Sequence, residues 1–549
     1  MSEPSRTYNA AITFVDEPLA RGWGGRVAFY YQHHRVTYQE LAEATNLTGN
    51  ALRELGVEIE DRVMLLLYDS PEFATSFFGA IKIGAVAVPV NTLMRAREYV
   101  YYLNDSRARV LIVHEPLLAE IEPIHDQLRY LKHIVVVPTP SSMGARSAGA
   151  TAGGRLPGAS SGGMAARYLR FEEIASRASL TLEPAATVAD DAAFWLYTSG
   201  STGAPKGAVH LQRDMLYAAD TVARSVFGYT PEDIAFSVSK LYFAFGLGNA
   251  LYFPLRFGSS AVHYPDRPTP EAVFEVIHRY RPTLVFTVPT MYVRLLQVED
   301  AARRYDLTSV RLYISSGEPL PAAIFHRWQE RFGAEILDVV GSTENLHDFL
   351  ANRPGYLKPG SSGVPVPGYE CRIVDDAGRD VADGQTGHLL VTGGSTAPYY
   401  WNQREATRRT MLGEWLRTGD MFYRDAEGFY WYCGRDDDML KVGGMWVSPH
   451  EVENALLAHD AVLETAVVGA PDEHGLLRPK AYIVLKEGHA PSPNLTLELQ
   501  AWTEERLAPY KAPHWIEYVS DLPKTATGKI QRFRLRQGQD DREREGKAG

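Results

Sequence analysis

Short apolar runs and amphipathic stretches alternate along most of the chain. Residues 62–68, Arg-Val-Met-Leu-Leu-Leu-Tyr, read as a buried strand, and residues 71–84 then read as a helix. Within that helix Phe73, Phe77 and Ile81 fall four apart and share one face, and Pro71 suits its first turn. The next strand is predicted at 85–90. The alternation returns at 109–114, at 283–288 after a helix over 271–280, at 310–315 before a helix over 321–332, and at 335–340. Strands that alternate with helices predict parallel or mixed sheets covered by helices.

From about residue 356 the pattern shortens into strands near 368–374, 387–392 and 428–433, which predicts a β-rich subdomain. A charged run over 434–441 follows. Beyond it come a helix (449–459), strands near 464–468 and 480–485, and a helix near 496–507. The predicted fold is therefore α/β. Residues 1–436 form a large N-terminal domain of α/β subdomains plus the β-rich one. Residues 437–549 form a small, mobile α+β C-terminal domain, joined at a polar hinge near 435–438. Residues 138–166 are dominated by Ser, Gly, Ala and Pro and read as a flexible surface insertion, and the last dozen residues read as a disordered tail.

Composition narrows the class. A chain of 549 residues has room for several domains and a large core. A formal net charge of −11 argues against a general nucleic-acid binder. Two cysteines, Cys371 and Cys433, build neither a disulfide framework nor a Cys-rich zinc site, which suits a reducing cytosol. The N-terminus lacks a signal pattern, and no apolar run is long enough for a membrane helix. These features predict a soluble cytoplasmic enzyme.

Four segments carry chemistry. Residues 197–207, Tyr-Thr-Ser-Gly-Ser-Thr-Gly-Ala-Pro-Lys-Gly, follow an apolar strand at 192–196 and precede a helix predicted from about His210. Their glycines let N–H groups converge on an anion, the hydroxyls add donors, and Lys206 adds charge. That is chemistry for a polyphosphate. It is not the P-loop pattern, because Gly207 follows the lysine. Residues 338–344, Asp-Val-Val-Gly-Ser-Thr-Glu, end a strand and present Thr343 with Glu344. A carboxylate there suits Mg²⁺, and a Thr-Glu pair at a helix start fits equally. Residues 417–420, Arg-Thr-Gly-Asp, offer Asp420 to a ribose diol or to a plain turn. Residues 523–530, Pro-Lys-Thr-Ala-Thr-Gly-Lys-Ile, set Lys529 in a polar loop, as a mobile cation or a solvated lysine. A Gly-x-Ser-x-Gly match at 158–162 falls inside the insertion, without the strand and helix that a nucleophile elbow needs.

In this order and spacing, the four segments resemble the adenylate-forming superfamily of acyl-CoA synthetases, peptide-synthetase adenylation domains and beetle luciferases, over essentially the whole chain. Residues 240–249, 341–347 and 439–449 are most similar to benzoate-CoA ligases. The resemblance implies that ATP, Mg²⁺ and coenzyme A are used to turn an aromatic acid, benzoate first, into its thioester through an acyl-AMP, feeding aromatic degradation. It implies that Thr198, Ser199, Gly200, Ser201, Thr202, Gly203 and Lys206 hold the β- and γ-phosphates, that Thr343 meets the α-phosphate and that Glu344 binds Mg²⁺. Asp420 with Arg435 would take the ribose. Ser316, Gly317, Glu318, Pro319 and Asp338 would line the adenine pocket. Lys529 would bridge nucleotide and carboxylate during adenylation. Rotation about Asp437 would then bring Gly443 and Gly444 to the pantetheine arm. Ala244, Phe245, Gly341 and His347 would surround the ring, Phe245 standing where benzoate ligases carry Tyr. Other acids (2-aminobenzoate, hydroxybenzoate, a medium-chain fatty acid) and loading of a carrier-protein thiol stay open, as does monomer against homodimer. No nucleic acid or membrane partner is implied.

Overall fold

The computed structural model describes residues 7–138, 168–198, 204–436, 438–442, 445–472, 476–524, 530–532 and 534–536. Apart from Pro138, the predicted insertion lies outside the described residues, as does the predicted tail.

Two large sheets carry the first part of the chain. In one, His133–Val137, Val110–His114, Arg62–Leu66 and Val86–Pro89 run parallel, and Ala192–Thr198 joins parallel to the last. In the other, Val27–Tyr31, Ser260–His263, Ile234–Ser237, Leu284–Thr287, Leu312–Ser315 and Ile336–Gly341 run parallel in that spatial order. Strands covered on both faces read as unbroken apolar runs, which is why seven of these were visible in the sequence, whereas Val27–Tyr31, His133–Val137, Ile234–Ser237 and Ser260–His263 were not predicted. Helices Tyr38–Glu54 and Pro71–Lys82 pack together. The Ser70 side chain accepts from the N–H of Phe73 and Pro71 opens the helix. Phe73, Phe77 and Phe78 are fully buried, each stabilising the fold by about 1.5–3 kcal/mol. The helices touch at glycine, since a Cβ on Gly79 would sit 3.1 Å from the backbone nitrogen of Gly49.

The helix predicted from His210 is a strand instead. Lys206–Leu211 pairs antiparallel with Ala192–Thr198, and the helix begins only at Asp214. Both faces of this strand are covered, and an Asp214 carboxylate oxygen accepts from the N–H of Leu211 and ends it. Residues 417–420 are not a turn. They lie inside the strand Trp415–Arg424, where the register against Gly387–Thr392 shifts between Arg417 and Met421, around the positive φ of Gly419.

Glu370–Val374, Gly387–Thr392, Met411–Leu412, Trp415–Arg424 and Tyr430–Arg435 form the β-rich sheet. The last part of the chain packs Pro449–Leu457 and Pro493–Glu504 with a sheet of Val462–Pro471, Leu477–Leu485 and Trp515–Tyr518. Its own core includes Val452, Leu456, Ile483 and Leu499. Among the described residues no helix is long and apolar enough to cross a membrane.

Candidate active site

The carboxyl ends of neighbouring parallel strands supply most of the site, as open α/β sheets do. Leu312–Ser315 leads into Ser316–Pro319, and Ile336–Gly341 leads into Thr343 and Glu344. The hairpin beside them sets Thr198 opposite Lys206, so its two ends face each other at the mouth of the loop they flank. The Tyr101 hydroxyl donates to the Pro205 carbonyl at 2.8 Å and anchors that mouth.

The turn bearing Thr343 and Glu344 is tied from two directions. His210, fully buried, has Nε2 2.8 Å from the Thr343 carbonyl and Nδ1 3.0 Å from the Asp214 carboxylate. From the other side the Tyr400 hydroxyl donates to Oε1 of Glu344 at 2.6 Å. The Ala397 N–H donates to the Glu344 carbonyl at 2.7 Å, and Ser395 and Thr396 hold Asn345 at 2.8 Å each. Lys206 Nζ lies 5.2 Å from the centre of the Tyr400 ring. Tyr400 thus joins the cation of one loop to the carboxylate of another. Burial, and then the Glu344 charge, push its phenol well above the ordinary range, so it stays a donor.

Asp420 and Arg435 are cross-strand partners, with Arg435 Nη1 3.1 Å from Asp420 Oδ1. A Cβ on Gly419 would lie 2.9 Å from the Arg435 guanidinium, so glycine makes the room. Gly317 takes a φ of +91°, which turns the Ser316–Pro319 segment sharply. Asp338 lies beneath that segment: its Oδ2 accepts from the Leu320 N–H at 3.2 Å. Burial above all, with Asp348 nearby, pushes its carboxyl well above the carboxylate range.

On the other side of Gly341 the residues expected around the ring come together. His347 is buried, with its ring centre 5.7 Å from Phe245, 4.5 Å from Phe253 and 6.5 Å from Phe227. Ala244 and Phe245 open the short helix Ala244–Leu247 and are half-buried. A Cβ on Gly341 would meet the His347 carbonyl at 2.5 Å. Glycine is therefore demanded there by the backbone of the next strand.

The sequence pattern of the AMP-binding enzyme family matches residues 17–401, and that of the AMP-binding enzyme C-terminal domain matches residues 451–529. The chain belongs to the AMP-binding enzyme family. A benzoate-CoA ligase of Thauera aromatica is 46% identical over 531 residues, 96% of each chain. A 4-hydroxybenzoate-CoA/benzoate-CoA ligase of Rhodopseudomonas palustris is 44% identical over 536 residues, 97% of this chain and 95% of that one. Among solved structures, an anthranilate CoA ligase in complex with anthranoyl-AMP superposes with a TM-score of 0.88 at 42% identity, covering 97% of each chain.

Of the residues nominated for this AMP-binding enzyme, Ser199, Gly200, Ser201, Thr202, Gly203, Asp437, Gly443, Gly444 and Lys529 lie outside the described residues. Sequence reasoning missed four that are described: His210, Tyr400, Asp348, whose carboxylate lies 2.9 Å from His347 Nδ1, and Gly248, where a Cβ would stand 2.4 Å from His347 Cδ2. His210, predicted to start a helix, is instead near the end of the strand Lys206–Leu211. Asp348 left the clearest signal, a charged residue inside the apolar run Leu-His-Asp-Phe-Leu at 346–350.

Proposed function

We propose that the chain joins benzoate to coenzyme A in two steps, releasing AMP and pyrophosphate. What supports this reading is the joint at Tyr400, which brings Lys206 and Glu344 to one place beside the Asp420–Arg435 pair. A relative that is 46% identical over nearly the whole chain is named for the same reaction.

In the first step the benzoate carboxylate attacks the α-phosphorus of ATP, and negative charge grows on the phosphoryl oxygens. Lys206 and the donors of its loop would stabilise the leaving pyrophosphate. Among the described residues, no three His, Cys, Asp or Glu side chains gather to hold a metal. Glu344 would be one donor to a magnesium ion bound with the ATP phosphates, an ion that supplies positive charge to the phosphoryl oxygens, and Tyr400 orients the Glu344 carboxylate. Asp420 and Arg435 would seat the ribose. Lys529 would neutralise both reacting anions. In the second step residues 437–549 would turn about Asp437, withdrawing Lys529 and bringing Gly443 and Gly444 to the pantetheine arm for thiol attack on benzoyl-AMP.

The test is AMP release with ATP, Mg²⁺ and a set of acids, each with and without coenzyme A. Turnover with benzoate that needs coenzyme A is expected. Turnover only with aliphatic acids, or only with a carrier-protein thiol as acceptor, would replace this reading.

A further inference from the structure

We infer that His210 is a positioning residue for adenylation: a buried imidazolium, protonated on both ring nitrogens and paired with Asp214, that fixes the Thr343–Glu344 turn through the Thr343 carbonyl. The inference rests on the ligase reading above and names the group that stands behind its phosphate side.

Both ring nitrogens of His210 face acceptors. Nδ1 stands 3.0 Å from Oδ2 of Asp214, and Nε2 stands 2.8 Å from the carbonyl oxygen of Thr343. A carbonyl oxygen only accepts, so Nε2 carries a proton. A neutral imidazole would then turn a lone pair at Nδ1 toward the carboxylate. Two contacts place the second proton on Nδ1 rather than on Asp214. Oδ2 already accepts from the Leu211 N–H at 2.9 Å, a contact that suits a carboxylate oxygen and not an acid hydroxyl. A proton on Oδ1 would have no acceptor among the described residues. Both side chains are buried, and among the described residues no lysine or arginine pairs with Asp214. The imidazolium is the charge that lets an ionised carboxylate stay at this depth.

The turn that it holds does not hold itself. Leu346, fully buried, takes a φ of +66°, a left-handed conformation that a bulky L-residue keeps only where its neighbours enforce it. Its N–H donates at 3.1 Å to the same Thr343 carbonyl that His210 meets. The imidazole is fixed in turn by the hairpin. Phe194 is its cross-strand partner and stacks on it, with ring centres 5.2 Å apart. A charged donor binds a carbonyl more strongly than a neutral one and polarises the peptide that joins Thr343 to Glu344. The hairpin that carries Lys206 therefore also sets the turn that carries Thr343 and Glu344, and His210 is the link between these two proposed phosphate contacts.

Two paired variants separate the bond, the charge and the packing. His210→Gln with Asp214→Asn keeps a donor for the Thr343 carbonyl and removes both charges. His210→Leu with Asp214→Leu removes the donor as well and leaves apolar volume in place. Acid-dependent exchange of pyrophosphate into ATP reads adenylation alone. The Leu pair should lose about tenfold to a hundredfold in kcat, by the same factor for benzoate and hydroxybenzoates, with the KM for the acid within about twofold of native. The Gln–Asn pair should fall only about threefold to tenfold. Native exchange rates in the Leu pair, or a loss confined to the KM for the acid, would overturn the positioning role. If the Leu pair does not fold, the Gln–Asn pair decides, and native rates there would overturn it. Nitrogen-15 spectra of histidine-labelled native protein, without substrates, should show one imidazole with both ring nitrogens protonated, absent from the Gln–Asn pair. A single protonated nitrogen at His210 would overturn the imidazolium. No exchange with any aromatic acid in the native enzyme would overturn the ligase reading and the positioning role together, and the spectrum would still decide the charge.

Discussion

The two sides of Gly341 are built on opposite principles. On the side proposed for the nucleotide, three described groups are tied by directed bonds: Thr343 to His210, Glu344 to Tyr400, Asp420 to Arg435. On the ring side His347 is held by aromatic faces and by a missing side chain at Gly248, with Nδ1 2.9 Å from the Asp348 carboxylate. Directed bonds fix charges where a phosphoryl transfer needs them, whatever acid is present. Close packing shapes a pocket that an acid has to fit by its size. The difference teaches that chemistry and acid choice are separable in this chain. Mutations on the first side should be blind to the acid, and mutations on the second should not.

The largest effect should come from Glu344→Gln. It removes the charge proposed to face the phosphates, and kcat should fall by about a hundredfold to a thousandfold for every acid tested, with a higher Mg²⁺ requirement. An unchanged magnesium dependence would remove Glu344 from the phosphate side. Tyr400→Phe tests the joint behind it. The phenol orients the carboxylate, and its ring lies 5.2 Å from Lys206 Nζ. The expected loss is about tenfold to a hundredfold in kcat, equal across acids, with the magnesium requirement shifted in the same direction as in Glu344→Gln. Losses that differ between benzoate and substituted benzoates would mean the joint reaches the ring pocket, and the division drawn here would fail.

Much of this was legible in the chain because periodicity is local. Phe73, Phe77 and Ile81 announce their helix within three turns, and Val110–His114 announces its strand within five residues. The candidate groups were legible for the same reason, as short ordered strings. What joins them was not. His210 meets Thr343 across 133 residues of sequence and Tyr400 meets Glu344 across 56, and no local pattern encodes either contact. The hairpin beside the phosphate loop was misread because strand–loop–helix is the commoner setting for a glycine-rich anion loop. Only the pairing with Ala192–Thr198, set by tertiary packing, decides against it. Gly419 misled in the same way: it reads as a turn residue, and it serves a bulge that lets Arg435 lie against Asp420.

Gly248→Ala is the mildest break and the one most confined to the ring side. A Cβ at this position would stand 2.4 Å from Cδ2 and 2.6 Å from Nε2 of His347, and 3.0 Å from the Tyr252 hydroxyl. Residue 248 continues the helical backbone that carries Ala244 and Phe245, so an alanine there is backbone-compatible and its cost is steric. The imidazole is walled by Phe253 and Phe227 and has little room to retreat except toward Phe245, into the space assigned to the ring. The expected result is a fall of about tenfold in kcat/KM for benzoate, steeper for 4-substituted or 3-substituted acids than for smaller ones, with the KM for ATP within about twofold of native. Steady-state kinetics with ATP and acid varied separately reads both numbers. A matched rise in the KM for ATP would show that the strand ending at Gly341 transmits the shift to Thr343 and Glu344, and that the two sides are one site rather than two.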